Sequence, residues 1–467
     1  MGPSDSDASY TDLNAVDKNF TSASKHISYT LAEVNKGIAQ GQLLFMNEGK
    51  VYNVSTWIKN HPGGELCMTH LIGKDATDHI RAFHPKSVLE NALPIFEVGL
   101  YIAPKKTAAE MKVHKLFQKL VLDVEALGHH ETELGFYAFL LFRYAVVWIS
   151  GVAAVLLLPK WWNALVGGLL MAASWQQIAF FCHDAGHNGI SHTRHLDYSV
   201  GVLLASFFGG LSLGWWKDSH NVHHLVTNHP NHDPDIQHLP IMAASPLFFT
   251  SLFSTYHGRI LNFDWIAQSF VKYQYIGFWI GNLFGRFVLY GFSCDFLLKD
   301  KPEARPYRAA EMIGIAVFFC WYGGLVYMLD NYLVGIMFVL ISHLFASILH
   351  LQIQISHVSM NMDCKDCDEH FATKALRTTM DVDCPEWLDW FHGGLQFQVV
   401  HHLFPRVPRH NLRKVKPLVV QFAKDTGILK YETHTFFTCT GMVHEVMFEV
   451  AQQLQFLLKH GGEKLHF

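Results

Sequence analysis

Six apolar runs constrain this chain more than any other feature: 136–158, 161–182, 198–214, 275–293, 310–329 and 332–350. A helix needs about 20 mostly apolar residues to cross a bilayer. The first two runs and the last two meet that requirement. Run 198–214 is short, and run 275–293 carries Arg286 at its middle. Arg143, in the first run, sits close enough to one end to snorkel. Pro159-Lys160 joins the first good pair and Asp330-Asn331 the second, so each pair reads as a tight helical hairpin. Two hairpins leave both termini and the 183–309 segment on one side. Loop 406–416 falls on that side too, with Arg406, Arg409, Arg413, Lys414 and Lys416. Excess positive charge marks the cytosolic side. Runs 198–214 and 275–293 are then expected in the interface or against the protein.

Ahead of residue 136 the chain changes character. Residues 1–25 are rich in Ser, Asp and Thr and hold no apolar core of the kind a secretory signal needs, so they read as a disordered lead-in. Residues 26–103 read as a small soluble domain. Leu43-Leu44-Phe45-Met46 and Val51-Tyr52-Asn53-Val54 flank a turn at Asn47-Glu48-Gly49-Lys50, which predicts a hairpin, and helical patterns follow around 69–92. Residues 104–135 read as a linker and an amphipathic helix, with Lys112, Lys115 and Lys119 against Val113, Leu116, Leu120 and Val121. Such a face suits a membrane surface or a plain surface helix. The fold expected is a small α+β domain followed by an all-α multi-pass membrane domain over 136–450. That second domain should have four transmembrane helices and further cytosolic helices, with a tail at 451–467.

Composition narrows the function. Charged residues are 16% of the 467, against about 25% in soluble domains. Lys and Arg number 36 and Asp and Glu 40, a net charge of −4, which argues against a nucleic-acid partner. Eight cysteines, mostly far apart, do not make a disulfide framework. Cys364-Lys-Asp-Cys367 is a lone C-x-x-C with His370 and Cys384 nearby; it reads as a reduced cytosolic loop, with a structural zinc site as the alternative. Histidine is abundant, 31 residues against 16 tyrosines, and neutral imidazole is the commonest metal ligand.

Those histidines cluster. The first group is His183-Asp-Ala-Gly-His187, the second His220-Asn-Val-His223-His224, and the third Gln398-Val-Val-His401-His402. Residues at i, i+3 and i+4 share one helix face, so each of the first two forms a comb of ligands. Each cluster follows an apolar element on the predicted cytosolic side, and His357 follows the last span. Any one pair could arise by chance; three on one side could hardly do so. Eight imidazoles are about twice what one tetrahedral site takes, so two metals are expected. Nitrogen donors suit iron, copper, zinc or nickel rather than magnesium or calcium.

An electron carrier would favour iron, and one is legible upstream. His61-Pro-Gly-Gly64 follows Trp57, and Phe83-His84-Pro85 comes later in the same soluble domain. Two histidines so placed suit the two axial positions of a haem.

On these motifs, residues 26–103 resemble a cytochrome b5 domain, which implies His61 and His84 as ligands of haem b. Residues 136–450 resemble the membrane fatty acid desaturases with three histidine boxes. A fused N-terminal cytochrome b5 domain, and glutamine opening the third box at Gln398, is the pattern of the front-end desaturases. The wording around 214–240 and 390–406 is most similar to fungal sphingolipid delta-8 desaturases. Delta-6 acyl desaturases share the boxes. Val400 departs from the pattern, which often has glutamate there.

The resemblance implies a di-iron centre held by His183, His187, His220, His223, His224, His357, His401 and His402. It also implies O2 as oxidant and a lipid substrate, either a sphingoid base or ceramide or an acyl lipid. Electrons would come from an NADH-dependent cytochrome b5 reductase, in the endoplasmic reticulum membrane. An unactivated C–H bond is beyond acid–base side chains, so the histidines are expected to hold iron and not to act as bases. Gln398 is expected to act on the site through a hydrogen bond, since an amide is a poorer donor than imidazole. A lipid hydroxylase with a fused cytochrome b5 domain is the rival enzyme. A haem-bearing anchor would need no boxes, and a metal transporter would place its histidines within the spans.

Overall fold

The computed structural model describes residues 27–299, 306–362 and 369–460. The expected lead-in at 1–25, the Cys364-x-x-Cys367 motif and the last seven residues of the expected tail lie outside them. Two compact units are present: the described parts of Met1–Lys115 and Asp368–Phe371, and those of Leu116–Cys367 and Ala372–Phe467.

In the first unit, strands β1 (Ser28–Thr30), β2 (Leu44–Asn47), β3 (Lys50–Asn53) and β4 (Glu97–Ile102) form one sheet in the order β1-β4-β3-β2. β2 and β3 make the predicted hairpin, with Asn47 opposite Lys50. Its two turn residues, Glu48 and Gly49, both take positive φ, 49° and 72°, the twist a two-residue hairpin needs. Short helices at Glu65–Thr69 and Thr77–Phe83 cover a core of Phe45, Tyr52, Val54, Ile58, Ile80 and Phe96.

Helix Ala108–Ala126 follows. Its buried side chains are Val113, Phe117, Leu120 and Val124, a stripe at helical spacing. Phe117 packs on Phe404 and Phe422, at 6.3 and 5.8 Å between ring centres. This apolar face is spent inside the protein while Lys112, Lys115 and Lys119 stay exposed, so the helix is a surface helix of the fold.

Four helices of the second unit are long and apolar enough to cross a membrane: Leu134–Leu157, Trp162–Gly186, Arg308–Tyr327 and Tyr332–Gln354. These are the four expected spans. The second is the central one, 67% buried where the others are 28–33%. Small residues let its neighbours close in: a Cβ on Gly167 would fall 2.5 Å from Val155 of the first span, and one on Gly168 2.8 Å from Ile341 of the fourth.

The two doubtful runs become other things. Run 198–214 breaks into Arg194–Phe208 and Leu213–Val226, bent by 116°, which would count as a fifth span only if the pair crossed together. Run 275–293 lies within helix Gln274–Leu298, where Arg286 is buried, donates to the Gly209 carbonyl at 2.6 Å and stacks 3.9 Å above Trp175. Arg143 does not simply snorkel. Its guanidinium donates to Gln177 and lies over the Trp390 ring. The last helix, Phe436–His460, runs through the boundary expected at 450.

Candidate metal centre and haem pocket

His61 ends the short helix Ile58–Asn60, and His84 caps helix Thr77–Phe83. Their ring centres are 6.0 Å apart. An ion midway between two imidazoles, with bonds of roughly 2.0 Å and about 1.1 Å more to each ring centre, requires roughly 6 Å. His61 Nδ1 donates to the Gly64 carbonyl at 2.9 Å and His84 Nδ1 to the Ile80 carbonyl at 3.2 Å. Those bonds fix Nδ1 as the protonated nitrogen and leave the lone pair on Nε2, the tautomer an axial ligand needs. The residues present fit a bis-histidine haem.

In the second unit the three histidine clusters and His357 converge. His183 stands in the last turn of the second span and His187 caps it. His220, His223 and His224 lie on helix Leu213–Val226, and His401 and His402 on the short helix Gln398–Leu403. Gly186 makes the approach of the first two possible. A Cβ there would fall 2.1 Å from the Trp216 ring, and Trp216 stacks on His220 at 4.4 Å. Gly393 and Gly394, both at positive φ, deliver the third cluster: a Cβ on Gly393 would strike the Phe180 ring at 2.1 Å.

The result is two adjoining groups. His183, His187, His220 and His401 offer ligand atoms within 4.8 Å of one another, and so do His223, His357 and His402. His224 lies between them, its ring 4.2 Å from that of His402 and 4.7 Å from that of His401. Its Nε2 is 3.1 Å from Nε2 of both His220 and His401. One nitrogen cannot serve two others by hydrogen bonding, since it either donates one proton or accepts one. Nitrogens bound to a common ion at about 2.0–2.1 Å do lie roughly 3.0–3.4 Å apart. Burial holds His401 and His402 well below the usual histidine range, and pushes His357 down to about 3, with His223 adding to the effect. At His223 burial is outweighed by Asp233 and Asp235, which push it up to about 9. Imidazoles packed this way fit a nitrogen-binding metal pair.

Partners that sequence reasoning missed hold the rings. His223 Nδ1 donates to Asp233 at 3.0 Å, and His183 Nδ1 lies 3.5 Å from Asp184, so each group has one histidine backed by a buried carboxylate. Asp184 also accepts from Arg409 at 2.6 Å and Tyr137 at 2.7 Å. Arg409, read from sequence as a loop charge, is thus buried. His357 Nδ1 donates to the Thr378 carbonyl at 3.3 Å, and its backbone carbonyl accepts from Asn228 at 3.0 Å. Asp381 accepts from the Val399 N–H at 2.9 Å and so anchors the third cluster. The signal for Asp233 was available, because it follows the second cluster in Asp233-Pro-Asp235. Nothing in the sequence links residue 184 to 409.

Gln398 is buried near His357. With His183 and His401 it lines a cavity of about 10 Å³, near the size of one water. Val400 is fully buried on the same short helix.

The sequence profile of the fatty acid desaturases matches residues 159–433, and that of the cytochrome b5-like heme/steroid binding domain matches 30–115. The chain belongs to the fatty acid desaturase family, with a cytochrome b5 domain fused ahead of it. It is an oxidoreductase that desaturates lipid chains. The family implies iron at the histidine cluster, and the fused domain implies haem. Similar proteins include the Delta 8-(E)-sphingolipid desaturase of Komagataella phaffii, 36% identical over 91% of this chain and 94% of the relative. That of Emericella nidulans is 35% identical over 90% and 94%. The acyl-lipid (9-3)-desaturase of Borago officinalis is 35% identical over 90% and 92%.

Proposed function

We propose that this protein introduces a double bond at the delta-8 position of a sphingoid long-chain base, using O2 and electrons delivered through its own cytochrome b5 domain. The observation that carries the reaction is the convergence of eight imidazoles, split into two groups around His224. The observation that carries the substrate is likeness over nine-tenths of the chain to several fungal Delta 8-(E)-sphingolipid desaturases. The acyl-lipid (9-3)-desaturase likeness supports a second reading, a front-end acyl desaturase acting near delta-6.

In this reading His61 and His84 hold haem b. His183, His187, His220 and His401 hold one iron; His223, His357 and His402 hold the other; His224 stands between. Bound iron supplies the redox chemistry with O2 that breaks two neighbouring C–H bonds. The chain's own residues do the rest. Asp184 and Asp233 accept the Nδ1 protons and so aim Nε2 of His183 and His223 at the metals. Gln398 positions His357 and presents its amide to the small cavity beside His183 and His401. Four spans and a common side for all eight histidines support a cytosolic active site, with both termini cytosolic. The endoplasmic reticulum and an NADH-dependent cytochrome b5 reductase complete the reading.

The test is alanine at each of the eight histidines, with iron content and lipid product measured on the same preparations. Each variant should lose product and iron. Full iron and full product in two of them would overturn the ligand assignment.

A further inference from the structure

We propose that Asp78, His114 and His370 form a third metal site, apart from the haem pocket and the eight-histidine cluster, which takes a divalent ion of the zinc class. All three lie in the first unit. They come from stretches remote in sequence: the first turn of helix Thr77–Phe83, the helix Ala108–Ala126, and the residue just ahead of helix Phe371–Thr378. Each offers one ligand atom, and the three atoms lie within 4.8 Å of one another.

His370 Nε2 is 3.3 Å from the Asp78 carboxylate, already the spacing of two donors on one tetrahedral ion, roughly 3.3–3.5 Å. The His114 ring meets that of His370 edge to face at 5.8 Å, so closing the site takes a small ring movement rather than a backbone change. Both side chains of the close pair are largely out of water, at 12% exposure for His370 and 10% for Asp78. Nδ1 of His114 is sealed from solvent with no hydrogen-bond partner among the described residues.

The charge state suits ligation. Burial, then His114, pushes His370 down to about 4, and burial also lowers His114. A half-buried carboxylate grouped with two imidazoles offers a divalent ion both charge compensation and donor atoms. The nearby Arg81 is engaged by Glu48 at 2.6 Å. Two nitrogens and one carboxylate oxygen select zinc, iron(II) or cobalt(II) over magnesium or calcium, and three protein ligands leave one position for water. Because Asp78 sits on the helix that ends at His84, the ion would also brace the haem-ligand helix.

The experiment uses the full-length protein in detergent, with haem and iron loaded. It is incubated with zinc chloride, freed of excess metal, and analysed for zinc and iron per chain. The wild type should retain about one zinc that Asp78→Asn, His114→Ala and His370→Ala each lose, while iron content and the haem absorbance band stay as in the wild type. Asp78 and His114 stand outside the Cys364-x-x-Cys367 motif, so loss through them is not the loss of a cysteine site. Zinc X-ray absorption on the wild type reads the site without any variant and should give a nitrogen and oxygen shell with imidazole scattering. No retained zinc in the wild type, equal zinc in all variants, or a sulfur-dominated shell would each overturn the proposal.

Discussion

His223 donates its Nδ1 proton to Asp233 at 3.0 Å, with the two side chains only 2% and 0% exposed. Asp233 also accepts the backbone N–H groups of Asn228 at 2.7 Å and Asp235 at 2.9 Å, so its carboxylate is held on three sides. Asp233→Asn keeps the shape but replaces an acceptor with an amide that can turn the imidazole over. Changes behind a metal ligand cost about 10–100-fold in metal affinity or activity. Iron affinity measured by competition with a chelator should fall by that amount while the haem content stays unchanged. Unaltered iron affinity would make Asp233 a structural cap only.

His61→Ala or His84→Ala should remove the haem absorbance and stop turnover, with the second unit still folded and iron-loaded. The two rings stand 6.0 Å apart, the spacing one ion between them requires. Normal activity in a haem-free variant would show that a separate carrier serves the centre.

Gln398 separates two roles by substitution. Gln398→Asn shortens the reach by about 1.5 Å, enough to lose a hydrogen bond near 3 Å. Gln398→His adds a nitrogen donor one turn before His401 and His402. The histidine variant should bind iron well yet turn over 10–100-fold more slowly, because an added ligand would fill the cavity beside His183 and His401. Unchanged rate and product would leave the glutamine without a role in turnover.

Eight converging imidazoles, six of them buried, would be a costly core without metal. Stripping the iron with a chelator should lower the melting temperature of the second unit by on the order of 10 °C, as expected for loss of a ligand present at about 1,000 times its dissociation constant. The haem band should melt as before. Coincident melting with and without iron would show that the rings pack as well empty as filled.

How much of this was legible follows the range of the interactions. The four spans and the β2–β3 hairpin are local patterns, so their lengths and turn residues were enough. The histidine clusters were readable as combs because i, i+3 and i+4 share a face, but the place of His224 between two groups was not. It depends on helix Leu213–Val226 meeting the third cluster, 177 residues away at His401. Asp184 with Arg409, and Asp78 with His114 and His370, join distant segments through side chains, and no periodicity encodes them. Arg286 was visible as an oddity in an apolar run; its tie to the Gly209 carbonyl explains why that run is a packed helix. The amphipathic helix after residue 104 was read by composition, whereas its buried face is fixed by Phe117 against Phe404 and Phe422.

Reaction and substrate can be read in one experiment. The most direct measurement is expression of the intact chain in a host that lacks delta-8 unsaturated sphingoid bases, followed by mass spectrometry of both long-chain bases and fatty acids with the double bond located. A new C8–C9 double bond should appear in the sphingoid base and disappear with His401→Ala and His61→Ala. A new double bond confined to fatty acids would make an acyl lipid the substrate, and a hydroxylated chain without a new double bond would make the protein a hydroxylase instead of a desaturase.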